Sequence, residues 1–246
     1  MTFKLDILGY LGGFPVNGGA ASGYLITTDH GKLLVDCGSG ILSSLSRLQS
    51  IHELDGVILS HLHNDHMADL LTLEHALIVA NRLEVRNSKL PLYCPEAPKE
   101  PYQRIPNDYF DKYVIENGRT IELIGGQMTF FSVQHTIPCY AIRIEYQGKV
   151  LVYTSDTAYF PELVEVVKGA DVLLCEASIV KGSRHTTGKG HMNGSEAGKL
   201  AKLGNVIQLV LTHLPTDGFH ERIKAEAQCE FDGQVNLASE QEYWEI

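Results

Sequence analysis

The chain contains 246 residues, of which 44% are apolar, and its formal net charge at pH 7 is −10. The apolar fraction is ordinary for a soluble globular protein, whereas the negative charge works against binding a long nucleic acid, which requires a basic surface. Because no Pro/Ser-rich linker, low-complexity tract or fixed-period repeat interrupts the sequence, we predict one domain over residues 1–246.

Short β-strand patterns dominate the N-terminal part of the chain. The predicted strands are 3–8, 23–28, 32–36 and 56–60, and the predicted helices are 40–48 and 66–81. A Gly-rich segment, 12–19, does not match a dinucleotide-binding loop, because a strand follows it where that loop requires a helix. Asp6 and Gly12 interrupt the apolar N-terminus, so we expect no signal peptide, and no apolar stretch has membrane-spanning length. These features predict a cytoplasmic protein.

Proline and tyrosine residues mark the middle of the chain. We predict that residues 91–117 form an irregular surface segment with a short helix, lining a pocket or a subunit contact. Beyond this segment the predicted strands are 120–123, 128–133, 141–146, 149–154, 171–175, 206–211 and 234–237. The predicted helices are 161–168, 195–203 and 218–228. The simplest architecture that buries these elements is an α/β (α+β) fold with two packed sheets and helices outside them.

The cysteines predict buried thiols. They are odd in number and lack CxxC spacing, which disfavours a disulfide framework or a cysteine zinc site. Most of them lie in or beside apolar runs, where a reduced cysteine packs as a small apolar residue. The five residues are Cys37, Cys94, Cys139, Cys175 and Cys229.

The segment His61-Leu62-His63-Asn64-Asp65-His66 places three imidazoles and one carboxylate within six residues, directly after the predicted strand 56–60. In a tight loop at a strand end, His61 and His63 would point to one side, and Asp65 and His66 to the other. Imidazoles and carboxylates are common ligands of divalent metals. The motif therefore predicts two metal ions side by side.

Three more candidate ligands, His135, Asp156 and His213, each follow an apolar, strand-like run. Ligands at the carboxyl ends of strands converge on one edge of a sheet. Asp156 would be shared, because the two oxygens of a carboxylate can bridge adjacent cations. The predicted ligand sets are His61, His63, His135 and Asp156 for one ion, and Asp65, His66, His213 and Asp156 for the other.

This mixture of imidazole and carboxylate ligands suits Zn²⁺, and Mn²⁺ or Fe²⁺ is also compatible. Two adjacent divalent ions would ionise a shared water near neutral pH. They would also stabilise the charge that develops in displacement at phosphorus or in attack on a carbonyl carbon. The sequence thus predicts a hydrolase.

These motifs, together with Ser155-Asp156-Thr157 and Thr212-His213, resemble those of the metallo-β-lactamase-fold hydrolases over about residues 20–215. Within that superfamily, Cys175-Glu176-Ala177-Ser178 and Gly190-His191-Met192-Asn193 resemble paired motifs of the ribonuclease Z-like phosphodiesterase branch. The resemblance implies a four-layer αββα sandwich, with Asp65 in the catalytic set and a metal-bridging hydroxide as the nucleophile. It also implies that His191 protonates the leaving oxygen while Glu176 orients His191.

Local charge gives a separate argument for His191. Residues 177–195 contain Lys181, Arg184, His185 and Lys189 beside it, and no acidic residue. His191 also precedes a predicted helix, whose N-terminus favours an anion. These features predict a small anionic substrate, with a solvated basic loop as the alternative.

The sequence differs from that of the tRNA-maturing members at two places, and both differences limit the class of substrate. The interval between His135 and Asp156 carries strand patterns where those members have a helical arm, and Met192-Asn193 replaces Ser-Thr. With the acidic net charge, both argue against transfer-RNA processing. The sequence therefore favours a dinuclear phosphodiesterase acting on a small or cyclic phosphodiester. The alternatives are a lactone, ester or thioester hydrolase of the same fold, and a metal-bound module without turnover.

The remaining residues of interest carry simpler predictions. Asp36, in Leu-Leu-Val-Asp-Cys-Gly, resembles the family's structural aspartate, and we expect it beside the metal ligands. We expect Trp244 to pack the C-terminus. No membrane partner is expected, and a homodimer is compatible with the sequence. The histidines expected at the surface are His30, His52, His75 and His220.

Overall fold

The computed structural model describes residues 2–182, 190–240 and 242–246. The chain forms two compact units. Unit 1 comprises Met1–Ile115, Leu123–Gly125 and Glu240–Glu245, and unit 2 comprises Glu116–Glu122, Gly126–Ser239 and Ile246. Each unit carries a seven-stranded sheet. The single domain expected over residues 1–246 stays a prediction.

The sheet of unit 1 has the order β14-β1-β2-β3-β4-β5-β6. Its strands are β1 (Phe3–Gly9), β2 (Gly23–Thr28), β3 (Gly31–Val35), β4 (Gly56–Ile58), β5 (Leu90–Cys94), β6 (Phe110–Val114) and β14 (Tyr243–Glu245). The pairs from β14 to β3 are antiparallel, and those from β3 to β6 are parallel. The helices of this unit are α1 (Ile41–Leu45), α2 (Asn64–Met67), α3 (Leu70–Arg82) and α4 (Lys99–Arg104), with a 3₁₀ turn at Ile51–Glu53.

The sheet of unit 2 has the order β13-β12-β11-β10-β9-β8-β7. Its strands are β7 (Thr120–Leu123), β8 (Gly126–Ser132), β9 (Tyr140–Tyr146), β10 (Lys149–Tyr153), β11 (Val172–Glu176), β12 (Gln208–Thr212) and β13 (Gln234–Leu237). The pairs from β8 to β10 are antiparallel, and those from β10 to β13 are parallel. Its helices are α5 (Leu163–Val167), α6 (Gly194–Leu203) and α7 (His220–Gln228).

The parallel strands position the polar residues of interest. β4 and β11 are buried along their whole length, as expected for parallel strands covered on both faces. In unit 1 the last residues of β3 and β4, Val35 and Ile58, pair with each other. In unit 2, the adjacent strands β10, β11 and β12 are parallel. The segments that leave these carboxyl ends therefore start side by side within each unit.

The prediction for residues 91–117 was partly wrong. The short helix is present as α4, but β5 and β6 flank it as paired strands of the sheet. Leu90, Leu92 and Cys94 are buried in alternation along β5, a period-two pattern that the frequent prolines obscured. Pro91 lies near the start of β5, where a strand tolerates proline best.

The predicted helix 66–81 is divided into α2 and α3 at Asp69. The carboxylate of Asp69 accepts a hydrogen bond of 3.0 Å from the backbone N–H of Leu42, and its own N–H donates to the carbonyl of Cys37 at 3.0 Å. These tertiary bonds redirect the chain between the two helices. The sequence pattern missed β14, whose Trp244 is half-buried and pairs with Leu5 of β1.

All five cysteines are free thiols, and all except Cys229 are buried, which confirms the prediction. Burial raises the pKa of Cys37 and Cys175 well above the usual range, and that of Cys94 to about 12. These three thiols are therefore protonated at neutral pH. Across residues 2–182, 190–240 and 242–246, no helix is both long enough and apolar enough to span a membrane.

Candidate metal centre

Unit 1 holds a histidine and aspartate cluster directly after β4. The predicted tight loop is an irregular stretch that ends at His63, the residue preceding α2. Asp65 and His66 lie on the single turn of α2. His61 and His66 are fully buried, with ring centroids 4.0 Å apart. The segment thus presents four polar side chains from a stretch that β4 fixes at one end and α2 at the other.

The donor atoms of this cluster have the spacing of groups that share a cation. His61 Nε2 and His63 Nδ1 lie 3.1 Å apart. Two nitrogens bound at 2.0–2.1 Å to one tetrahedral Zn²⁺ lie about 3.3 Å apart, so the observed separation fits a shared ion. His66 Nε2 and Asp65 Oδ2 form a second close pair, at 3.7 Å.

Asp36 forms hydrogen bonds that orient the histidines of this cluster. Its buried carboxylate accepts hydrogen bonds from His66 Nδ1 at 2.8 Å and from the Ser60 hydroxyl at 2.9 Å. Because a carboxylate only accepts, His66 must carry its proton on Nδ1, which leaves Nε2 as a lone-pair donor. Ser60 Oγ in turn lies 3.1 Å from His61 Nδ1. Asp36 therefore orients His66 directly and His61 through Ser60, a contact that the sequence pattern did not reveal.

The Gly-rich segment 12–19 holds Asp65. The backbone N–H of Gly13 donates a hydrogen bond of 2.8 Å to Asp65 Oδ2, and Gly13 has a φ of 82°. Gly38 lies against the backbone of the same residue, since a Cβ at position 38 would be 2.0 Å from the Asp65 carbonyl oxygen. Gly38 thus allows a close backbone approach that a side chain would block, whereas Gly13 supplies the positive φ that most other residues disfavour.

Unit 2 brings together His135, Asp156 and His213. The Asp156 carboxylate is nearly fully buried, and its Oδ2 lies 3.3 Å from His213 Nε2 and 3.9 Å from His135 Nε2. Asp156 follows β10, and His213 follows β12. Ser155 and His213 have φ values of 53° and 50°, a left-handed backbone that is uncommon outside glycine and concentrates at functional sites.

His135 is held as a neutral imidazole. Its Nδ1–H donates a hydrogen bond of 2.9 Å to the carbonyl oxygen of Gly190. Burial lowers the pKa of His135, and the nearby Asp156 carboxylate partly opposes that shift. The ring is therefore neutral at pH 7, with the lone pair of Nε2 available to a metal ion.

The buried Glu176 and the half-buried His191 form a pair in the same unit. His191 Nδ1 donates to Glu176 Oε1 at 3.1 Å, and the Glu176 side chain is fully buried. The His191 ring lies 5.1 Å from the ring of His135 and 5.5 Å from that of His213. The carboxylate also accepts three backbone N–H bonds and one hydroxyl bond. These come from Thr157, Met192, Ser178 and the Ser178 side chain.

The departure at Met192-Asn193 has a structural explanation. Met192 is fully buried, and Asn193 caps α6: its side chain accepts from Glu196 N at 3.0 Å, while Glu196 accepts from Asn193 N at 3.0 Å. Asn and Thr are both good N-cap residues. Asn193 therefore serves as the N-cap of α6.

The basic loop is only partly within the described residues. Lys181 donates from Nζ to Ser195 Oγ at 2.9 Å, and its backbone N–H donates to Glu226, so it anchors the loop to α6 and α7. Arg184, His185 and Lys189 lie outside the described residues. Of the histidines expected at the surface, His30 and His75 are exposed, and His52 and His220 are half-buried.

A family model described as "Beta-lactamase superfamily domain" matches residues 32–214. A probable metallo-hydrolase of Bacillus subtilis, YhfI, is 36% identical over 243 residues, covering 98% of this chain and 99% of the relative. The chain belongs to the β-lactamase superfamily of metallo-hydrolases. The crystal structure of the metallo-β-lactamase-fold protein YhfI has a TM-score of 0.96 and 35% sequence identity, with full coverage of both chains. The metallo-hydrolase thus has the metallo-β-lactamase fold, which confirms the predicted fold class.

More distant similarities are consistent with the predicted branch. A ribonuclease Z of Methanopyrus kandleri is 26% identical over 261 residues, covering 91% of each chain. The crystal structure of a diphosphatase from the PhnP family has a TM-score of 0.77 at 19% identity, covering 99% of this chain and 98% of the other, which shows the fold alone. The metallo-hydrolase therefore has ribonuclease Z-like relatives, as the sequence motifs predicted.

The donor chemistry of this metallo-hydrolase fits divalent metal ions. Buried and half-buried imidazoles and carboxylates lie in groups close enough to bind them, with ligand atoms inside each group within 4.8 Å of one another. At His61, His66 and His135, the second ring nitrogen contacts a hydroxyl, a carboxylate and a carbonyl, respectively. Partners of this kind fix ring orientation in metal sites. The number and identity of the ions stay predictions.

Replacing Asp36 by asparagine is expected to weaken metal binding about 10–100-fold. Asparagine keeps the volume and tolerates the φ of 57° at this position. Its amide has a single acceptor oxygen, whereas Asp36 accepts from the Ser60 backbone N–H at Oδ1 and from the Ser60 hydroxyl and His66 Nδ1 at Oδ2. Competition titration with a chromogenic chelator measures the affinity. Asp55→Asn is the matched control, because Asp55 is an exposed aspartate of the same unit that accepts a backbone bond from Lys32. Equal affinities in the two variants would contradict the role of Asp36.

Proposed function

We propose that this metallo-hydrolase is a dinuclear phosphodiesterase that cleaves a small or cyclic phosphodiester. The observation that carries the proposal is the His191–Glu176 pair. An imidazole whose Nδ1 is held by a buried carboxylate presents Nε2–H when protonated, which is the group needed to protonate a departing alkoxide. Family membership, relatives that include a ribonuclease Z, and the donor clusters support the same assignment.

The residues that would hold the metal ions are those of the predicted sets. His61, His63 and His135 would hold one ion, Asp65, His66 and His213 the other, and Asp156 both. When bound, two divalent ions supply Lewis-acid stabilisation of the phosphoryl oxygens and an ionised water at neutral pH. The protein fixes the ligands in advance: Asp36, Ser60, Gly13 and Gly190 each contact one of them.

Glu176 would serve two purposes in this scheme. By accepting from His191 Nδ1 it stabilises the imidazolium and keeps Nε2 aimed away from the carboxylate. By accepting from the backbone N–H groups of Thr157 and Met192 it fixes His191 relative to the segment that carries Asp156. His191 is 29% exposed at its side chain, so substrate and solvent can reach the ring.

The short connection between His135 and Asp156 and the net charge of the chain favour a small substrate over a folded RNA. Between His135 and Asp156 the chain forms β9 and β10, joined by the two-residue turn Gln147-Gly148 with φ values of 48° and 83°. This is a tight hairpin turn and leaves no room for a helical arm. The net charge of −10 also disfavours binding a long phosphate backbone.

The test is a substrate panel assayed on metal-loaded protein with the bound metal quantified. We expect hydrolysis of bis-p-nitrophenyl phosphate and of cyclic nucleotides, with two metal ions per chain. Lactones, carboxylic esters and thioesters are the comparison, because their hydrolysis requires the metal ions but no acid at His191.

Two outcomes would reject the proposal. Rapid turnover of a lactone or thioester without phosphodiester cleavage would assign the chain to the alternative hydrolase class. Full metal loading with no hydrolysis of any substrate would identify a metal-bound module without catalysis.

A further inference from the structure

We propose that Gly190 is a positioning residue that couples the candidate metal ligand His135 to the candidate acid His191. Its carbonyl oxygen fixes the His135 ring, and its missing side chain permits the contact. This inference rests on the proposed metal centre, but not on the identity of the substrate.

The Gly190 carbonyl determines the tautomer of His135. The Gly190 carbonyl lies 2.9 Å from His135 Nδ1, and a carbonyl oxygen can only accept. The bond therefore holds the proton on Nδ1 and leaves the lone pair on Nε2. That nitrogen lies 3.9 Å from Asp156 Oδ2, so the lone pair is on the side of the proposed bridging carboxylate.

A side chain at position 190 would collide with His135. A Cβ at position 190 would lie 2.6 Å from His135 Nδ1 and 3.1 Å from His135 Cα, closer than van der Waals contact allows. Gly190 also has a φ of 88°, a left-handed conformation that L residues rarely adopt. Any side chain here would displace the ring that the carbonyl holds.

The contact between Gly190 and His135 is linked through the backbone to the candidate acid His191. Gly190 directly precedes His191, whose Nδ1 donates to Glu176 Oε1 at 3.1 Å. The next residue, Met192, donates its backbone N–H to the same oxygen at 3.0 Å. Residues 190–192 are thus held between His135 and Glu176. A shift of Gly190 would therefore move the imidazoles of His135 and His191 together.

The test compares Gly190→Ala with Gly182→Ala in the full-length protein. Gly182 has a similar φ of 80°, but among the described residues an added Cβ would meet no atom within 4 Å, so this variant carries the backbone strain without the contact to His135. We expect Gly190→Ala to weaken binding of Zn²⁺ about 10–100-fold in competition with a chelator, and Gly182→Ala to leave it within about threefold. Equal affinities in Gly190→Ala and the wild type would overturn the proposal.

A measurement of the His135 tautomer in the wild-type protein tests the proposal even if Gly190→Ala does not fold. Long-range ¹H–¹⁵N spectra of histidine-labelled protein, assigned with His135→Gln, should show His135 with its proton on Nδ1. Observation of the Nε2–H tautomer would overturn the assignment. Failure of the proposed function looks different: the wild type would bind metal and keep this tautomer, yet cleave no phosphodiester.

Discussion

Asp156→Ala is expected to have the largest effect of any single substitution in this chain. The carboxylate is almost fully buried and lies within 3.9 Å of both His135 Nε2 and His213 Nε2. If it bridges two cations, its loss removes one ligand from each ion. We expect bound metal to fall well below two ions per chain. The loss of several kcal/mol of transition-state stabilisation corresponds to about a 10³-fold fall in kcat.

Asp171→Asn is the matched control for Asp156→Ala. Asp171 also lies in unit 2, next to the amino end of β11, and accepts from Lys149 Nζ at 2.8 Å and from the Val150 backbone N–H at 2.9 Å. Its replacement should cost some stability and leave metal content and kcat unchanged. Metal analysis after gel filtration and initial rates on a phosphodiester measure both quantities. If Asp156→Ala kept two ions per chain, Asp156 could not be the bridging ligand.

Most of the candidate ligands could be predicted from sequence because they follow strands with buried carboxyl ends. The apolar run before His61, and the runs before Asp156 and His213, correspond to β4, β10 and β12. The chain between such a strand and its ligand is only a few residues long, so strand prediction also places the ligand. Glu176, the last residue of β11, was instead identified by its resemblance to the family motif.

The contacts that support these ligands could not be predicted in the same way. Asp36 was expected near the ligands only by resemblance, whereas its bond to His66 spans 30 positions and depends on the pairing of β3 with β4. The bond from Gly13 to Asp65 spans 52 positions, and that from His135 to Gly190 spans 55. Backbone groups of glycine leave no side-chain signal, so only the folded structure identifies them as acceptors or donors.

His191→Ala is expected to reduce kcat in a way that depends on the leaving group. General acid catalysis contributes about 10²–10⁴-fold when the departing oxygen needs a proton. A cyclic nucleotide expels a sugar alkoxide and should lose that full factor, whereas p-nitrophenolate departs without protonation and should lose much less. Bound metal should stay at the wild-type level, because neither predicted ligand set includes His191.

The leaving-group comparison separates an acid from a structural histidine. His220→Ala is the matched control: His220 is a half-buried histidine of unit 2 whose Nε2 donates to the Pro215 carbonyl at 2.7 Å, and its loss should affect both substrates alike. Glu176→Gln should fall between the wild type and His191→Ala on the cyclic substrate, because an amide no longer stabilises the imidazolium. Equal losses on both substrates in His191→Ala would show that His191 holds the site together without donating a proton. In that case a water molecule or another residue would have to protonate the leaving oxygen.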